Sequence, residues 1–109
     1  MIVNVENIIV FLRSLSDPRL RAKVFRGIDL LANHWPLIAE PHVKPVAGSD
    51  GLWELREQMG NIRIRLFFFQ LSKDKLVMIH GYSKKTQKIP KRELETAERK
   101  MQEIRRGGR

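Results

Sequence analysis

An α+β fold is what this sequence predicts: an N-terminal helical hairpin packed on a small antiparallel sheet of three to four strands in a meander, followed by a C-terminal helix. Three observations carry that reading. Apolar residues recur at three- and four-residue steps before position 36 and again after Pro90. Three strand-like runs, 52–58, 62–70 and 75–83, lie between those helical stretches. The joins between the runs are short enough to force antiparallel pairing. The whole chain, residues 1–109, is read as one domain.

The elements follow in order. Asn4 is placed to cap a first helix whose apolar face is Ile8, Phe11, Leu12 and Leu15. Ser16-Asp17-Pro18 stops and restarts the helix, because Asp17 can cap and Pro18 fits a first helical position. Leu20, Val24, Ile28, Leu31 and Trp35 form the stripe of a second helix, antiparallel to the first. Pro36, Pro41 and Pro45 mark an irregular crossing over 36–47, and Gly48-Ser49-Asp50-Gly51 is a turn. Gly60-Asn61 and Ser72-Lys73-Asp74 read as hairpin turns. Pro90 opens the last helix, with Leu94, Ala97, Met101 and Ile104 on one stripe and Gly107-Gly108 ending it.

Composition narrows the function. Twenty-one Lys and Arg against twelve Asp and Glu give a formal charge of +9, with a pI near 10.5. A field of that sign supports nucleic-acid or anionic-membrane partners. With no cysteine, disulfides and thiolate metal sites are excluded. The apolar run Ile8 to Leu12 is too short to span a membrane. Nor does it read as a secretory signal, since no basic segment precedes it and Glu6 lies beside it. A cytoplasmic protein is therefore expected, with no cofactor and no metal.

Two features point at the chemistry. The segment His80 to Arg92 brings Lys84, Lys85 and Lys88 to a strand end, with Ser83, Thr86 and Gln87 beside them. Cations crowded on a short turn repel one another, so a polyanion is the natural occupant of the space between them. Strand alternation then sorts the neighbours. Glu54 and Arg56 share one side of the first run, and Arg63 and Arg65 one side of the second, opposite Ile62, Ile64, Leu66 and Phe68. On the third, His80 and Tyr82 are expected opposite Val77, Ile79 and Gly81. If the apolar sides pack on the helices, the side left over is a cationic face holding an aromatic, a histidine and one carboxylate.

Several segments together resemble the RelE/HigB toxin superfamily, and within it the phage-derived, HigB-like branch. Gly51 to Arg56 (GLWELR) is similar to that branch's second-strand signature, and Leu76 to Ala97 (LVMIHGYSKKTQKIPKRELETA) to its last strand, basic turn and C-terminal helix. Trp35 to Val46 (WPLIAEPHVKPV) resembles its connecting segment. The resemblance spans about residues 4–105. It implies a RelE-like α+β domain with helices packed on one face of the sheet. It also implies an endoribonuclease that cuts mRNA on the ribosome and is neutralised by a helix-turn-helix antitoxin from an adjacent gene. Relatives carry a full strand before the first helix, whereas only Met1 to Val3 precede it here, so the presence of that edge strand is left open. They also carry a Tyr-Arg pair where this chain reads Ile62-Arg63-Ile64-Arg65, which leaves open which arginine takes the role.

Metal-free cleavage of RNA requires in-line attack of a 2′-hydroxyl on the adjacent phosphorus, a proton acceptor, a proton donor and cations against the phosphorane charge. Arg63, Arg65 and Arg56 are the candidate phosphate clamp, where guanidinium geometry allows bidentate contact. Lys84 and Lys85 are clamp or proton carriers, the latter if neighbouring cations lower their pKa. Glu54 or His80 is the candidate base, and Tyr82 a stacking platform or acid. The candidate catalytic set is thus Arg65, Arg63, Lys85, Lys84, Glu54 and Tyr82, with RNA contacts from Arg56, His80, Thr86, Gln87 and Lys88. Plainer readings stand beside these: a hydrogen-bonded core histidine for His80, an ion pair for Glu54, a packing role for Tyr82. The alternating charges of the last helix, Lys91 to Arg106, read as a solvated face. The alternative function is a basic nucleic-acid-binding module derived from the same fold, without catalysis.

Overall fold

The computed structural model describes residues 1–38, 41–85 and 88–107. β1 (Ile2–Asn4) leads through a single 3-10 turn (Glu6–Ile8) into α1 (Ile9–Ser14), and α2 (Pro18–His34) completes the helical hairpin. Asn4 Oδ1 accepts from the Glu6 backbone N–H at 2.9 Å and starts the first turn. Asp17 Oδ1 accepts from the Arg19 N–H at 2.9 Å, with Pro18 as the first helical residue. β2 (Val43–Pro45), β3 (Trp53–Met59), β4 (Ile62–Ser72), β5 (Lys75–Lys84) and α3 (Lys91–Arg105) follow.

The sheet has five strands in the order β1-β5-β4-β3-β2. Its centre is the expected antiparallel meander. The two edges were not foreseen. β1 pairs parallel to β5, Ile2 opposite Lys75 and Asn4 opposite Val77, which makes the sheet mixed and supplies the edge strand left open above. β2 lies inside the segment expected to be irregular, with Pro45 opposite Trp53. Three-residue strands give no alternation to read, and a proline that has no N–H to donate is tolerated only at an edge.

Helices cover both faces of the sheet, a correction to the one-face packing that the resemblance implied. α1 and α2 bury Leu12, Leu20, Val24, Ile28 and Leu31 against Leu55, Ile64, Leu66, Phe68 and Met78. On the opposite face α3 packs Ala97 and Met101 against Phe67, Phe69, Val77 and Ile79. The sequence carries the reason: Leu66-Phe67-Phe68-Phe69 is four consecutive apolar residues, all buried, the mark of a strand covered on both sides. Burial of this kind is worth roughly 25 cal/mol per Å² of apolar surface.

A second correction concerns β5. Phe67 pairs with His80 but Phe68 pairs with Met78, so Ile79 is an extra residue, a β-bulge. The bulge reverses the alternation. Val77 and Ile79 therefore face α3 with Tyr82, and His80 is on that side too, rather than opposite them. Gly81 does point the other way, where an added Cβ would lie 2.6 Å from Phe11 Cδ2 and 2.9 Å from Leu66 Cδ2. No helix among the described residues is long and apolar enough to cross a membrane.

Candidate nucleic-acid interface

Pairing across β3, β4 and β5 sets the candidate residues in rows on the α3 side of the sheet. One row is Gln58, Arg63 and Lys84; the next is Arg56, Arg65 and Tyr82; the third is Glu54, Phe67 and His80. The bulge at Ile79 is what brings Tyr82 and Lys84 into phase with the arginines. Arg63, Arg65, Arg56 and Lys84 are thus gathered with a single carboxylate, Glu54. α3 packs over the third row, with His80 Nε2 3.0 Å from Glu93 Oε2, and Tyr82 of the second row joins the same apolar cluster.

The expected open face is instead largely buried: Arg65 is 3 % exposed, Glu54 4 %, Tyr82 6 % and Lys84 9 %. Like charges directly opposite, as Arg56 and Arg65 are, repel. Glu54 Oε1 relieves that repulsion, 3.3 Å from Arg56 Nε and 3.5 Å from Arg65 Nε. Arg65 Nη1 also donates to the Ile64 carbonyl at 2.9 Å and the Glu57 carbonyl at 3.3 Å. Arg63 Nη1 donates to the Lys85 carbonyl at 2.8 Å and so braces the end of β5. The Tyr82 ring stacks on Phe67 with centroids 5.6 Å apart, and Lys84 Nζ lies 5.9 Å from the Tyr82 centroid.

Several polar atoms in this cluster are buried without a hydrogen-bond partner among the described residues: Glu54 Oε2, the Tyr82 hydroxyl and Arg63 Nε. Buried polar groups are normally satisfied, so each of these calls for a partner, which a bound ligand or a water would supply. Burial is the main influence on titration. It lowers the Lys84 pKa, with Arg65, Arg56 and Arg63 adding to the effect and Glu54 opposing it. Burial lowers that of Arg65, opposed chiefly by Glu54, although a guanidinium keeps its charge regardless. It raises the Tyr82 pKa, and Glu54 raises it further, so the phenol holds its proton. The lysine effect expected from neighbouring cations is present, but desolvation leads it.

The other candidates are placed differently. Lys85 and Lys88 are exposed, and Thr86 and Gln87 lie outside the described residues. His80 sits under α3, its Nε2 3.0 Å from Glu93 Oε2 and its Nδ1 3.5 Å from Lys100 Nζ. Glu93 and Lys100 are therefore not part of a purely solvated helix face, although Arg99 and Glu103 do form an exposed i,i+4 pair at 3.2 Å. Beside the cluster, Arg56 and Arg65 line a cavity of about 290 Å³ together with Lys23, His42, Glu57 and Gln58. Glu57, 8 % exposed, went unnoticed in the sequence. The one signal was Gly27, a glycine inside an otherwise regular helical stripe.

A family model described as Phage derived protein Gp49-like (DUF891) matches residues 11–102, from α1 to near the end of α3. The chain belongs to that family. Gp49-like proteins are a toxin-like, phage-derived family related to the RelE/HigB toxins. No curated protein matches the chain. In this Gp49-like protein the matched region takes in every described residue of the cationic cluster.

Proposed function

We propose that this Gp49-like protein is the toxin of a type II toxin–antitoxin pair, a cytoplasmic, HigB-like endoribonuclease that cuts mRNA on the ribosome. The observation that carries the reading is the group of buried Arg65 and Lys84 and half-buried Arg56 and Arg63 around one buried carboxylate, with polar atoms that lack a hydrogen-bond partner among the described residues. An RNA phosphate answers both the excess charge and the orphaned donors.

In the proposed reaction the clamp of Arg65, Arg63 and Arg56 holds the scissile phosphate. Glu54 Oε2, free of hydrogen bonds among the described residues, takes the proton of the 2′-hydroxyl as its oxygen bonds to phosphorus. The bond from phosphorus to the 5′-oxygen breaks, and that oxygen takes a proton from Lys84, whose lowered pKa suits a donor. The products are a 2′,3′-cyclic phosphate and a 5′-hydroxyl. Tyr82 serves as stacking surface and neutral hydrogen-bond donor, since its raised pKa makes it a poor proton carrier. Lys85 and Lys88 guide the strand from the rim. Preorganised cations of this kind are worth about 3–4 kcal/mol per well-placed donor.

Induced expression of the chain should arrest growth, and co-expression of a neighbouring helix-turn-helix gene should restore it. Arg65→Lys, which keeps the charge but loses the guanidinium fork, and Lys84→Met should both relieve the arrest while circular dichroism shows a folded protein. Full toxicity in both variants would discard the site. RNA binding without any cleavage would identify a nucleic-acid-binding module instead.

A further inference from the structure

β2 ends its pairing with β3 at Val43 opposite Leu55, and beyond Arg56, whose N–H bonds the His42 carbonyl, the outer edge of β3 faces α2 across a cleft. Two adjoining cavities, about 290 and 400 Å³, make up that cleft and share Lys23, His42 and Glu57. Glu57 is the carboxylate at its centre. Its side chain is 8 % exposed and makes no hydrogen bond or ion pair among the described residues. Its Oε2 lies where a Cβ on residue 27 would collide with it, so the glycine makes room for the carboxylate. Glycine inside a helix costs about 1 kcal/mol against alanine, and among the described residues the Glu57 carboxylate is what comes nearest to where its Cβ would be. Burial raises the Glu57 pKa, while His42, Lys23 and Arg26 act to lower it. A carboxylate so enclosed, and opening into the cleft, is placed to accept from a donor that enters it.

The surroundings decide what the donor is. Lys23, Arg26, Arg56 and Arg65 outnumber the one other carboxylate of the lining, Asp29, and repel an incoming lysine or arginine, which disfavours a basic segment of a protein partner. The same cations welcome phosphates, and Arg56 and Arg65 belong both to this cleft and to the phosphate cluster. The occupant must therefore be neutral at the end that meets Glu57, rich in N–H groups, and joined to a phosphodiester chain. We propose that the cleft is a nucleobase pocket that takes a guanine of the RNA strand, Glu57 accepting from N1–H and the exocyclic amino group of its Watson–Crick edge. Guanine alone presents two adjacent donors, the arrangement that a carboxylate accepts with both oxygens. Adenine and cytosine place one amino group beside a ring acceptor, and uracil sets its N–H between two carbonyls. This pocket rests on the RNA reading above and adds to it a specificity residue.

The test uses the full chain and trinucleotides made uncleavable by 2′-O-methylation, with guanine, inosine, adenine, cytosine or uracil at the centre, titrated at one salt concentration. The guanine ligand should bind about tenfold or more tighter than the adenine, cytosine and uracil ligands, the span expected of a bidentate base contact, with inosine between because it lacks the amino group. Glu57→Gln, nearly isosteric, should reduce the differences to about twofold. Gly27→Ala, which pushes the carboxylate aside, should do the same by a different route. Equal binding of all five ligands by the unaltered protein, or a guanine preference that survives Glu57→Gln in a folded protein, overturns the pocket. In either case, uniform weakening of every ligand by Arg65→Lys would show that the RNA reading stands without it. Failure of the unaltered protein to bind any of the five overturns both.

Discussion

Gly27 and Glu57 are a pair that neither residue explains alone. In an isolated helix, alanine at position 27 would be favoured over glycine by about 1 kcal/mol. In this fold the added methyl meets Glu57 Oε2, the far end of a flexible side chain that can swing aside, so part of that gain is lost. Gly27→Ala should therefore stabilise the protein by less than the same substitution made in a Glu57→Ala background, where the gain should reach about 1 kcal/mol. Urea unfolding of the four proteins measures the coupling, and a coupling below about 0.5 kcal/mol would mean that the two residues do not meet. The pair also shows what a single sequence conceals. Glu57 stands at an odd position of a strand whose even positions, Glu54, Arg56 and Gln58, carry the other polar side chains, so alternation assigns it to the core side. Only Gly27, on α2, says that the core side has been opened to receive a charge.

At the level of elements, α3 is held by its apolar stripe and not by its many charges. Met101, 1 % exposed, fills the space over Phe67, Phe69 and Ile79, whereas Lys100 on the same helix reaches only the His80 ring. Met101→Ala should lower stability by about 2–5 kcal/mol and Lys100→Ala by less than about 1 kcal/mol, both read from chemical denaturation; equal losses would mean that α3 docks by its polar side. The stripe Leu94, Ala97, Met101 and Ile104 was legible in the sequence, as were the α2 stripe and the three central strands, because each repeats a period over seven or more residues, and the Asp17-Pro18 start was legible as a capping signal. What the sequence hid was short or out of phase. β1 and β2 have three residues each, too few to show a period. The bulge at Ile79 inserts one residue into an unbroken apolar run, Leu76 to Ile79, in which nothing marks where the alternation turns over. Reading straight through it set His80 and Tyr82 opposite Val77 and Ile79. The arginine side of β4 was nonetheless assigned correctly, since alternation there is uninterrupted from Ile62 to Phe68.

Across the whole molecule, charge separates two jobs that the proposed RNA-binding surface would perform. The excess of +9 attracts any polyanion and was plain from composition, but it says nothing of where the strand lies. The fold concentrates that excess: Arg56, Arg63, Arg65 and Lys84 share one patch of sheet with one carboxylate, and Lys85 stands exposed at its rim. Each phosphate that a single strand gives up to such a cation releases counterions, so the logarithm of affinity falls with the logarithm of salt concentration by about 0.7 per contact. Lys85→Ala should therefore flatten the salt dependence of RNA binding by about 0.7 and weaken all sequences alike, because it removes a phosphate contact and no base contact. Glu57→Gln should leave the slope unchanged, because a carboxylate that meets a base displaces no counterion from the backbone. Titrations of one guanine-containing and one uracil-only oligonucleotide at four salt concentrations distinguish the two effects. A slope that moves with Glu57 and not with Lys85 would place the backbone in the cleft and the base on the arginines, reversing the orientation of the strand derived from this geometry.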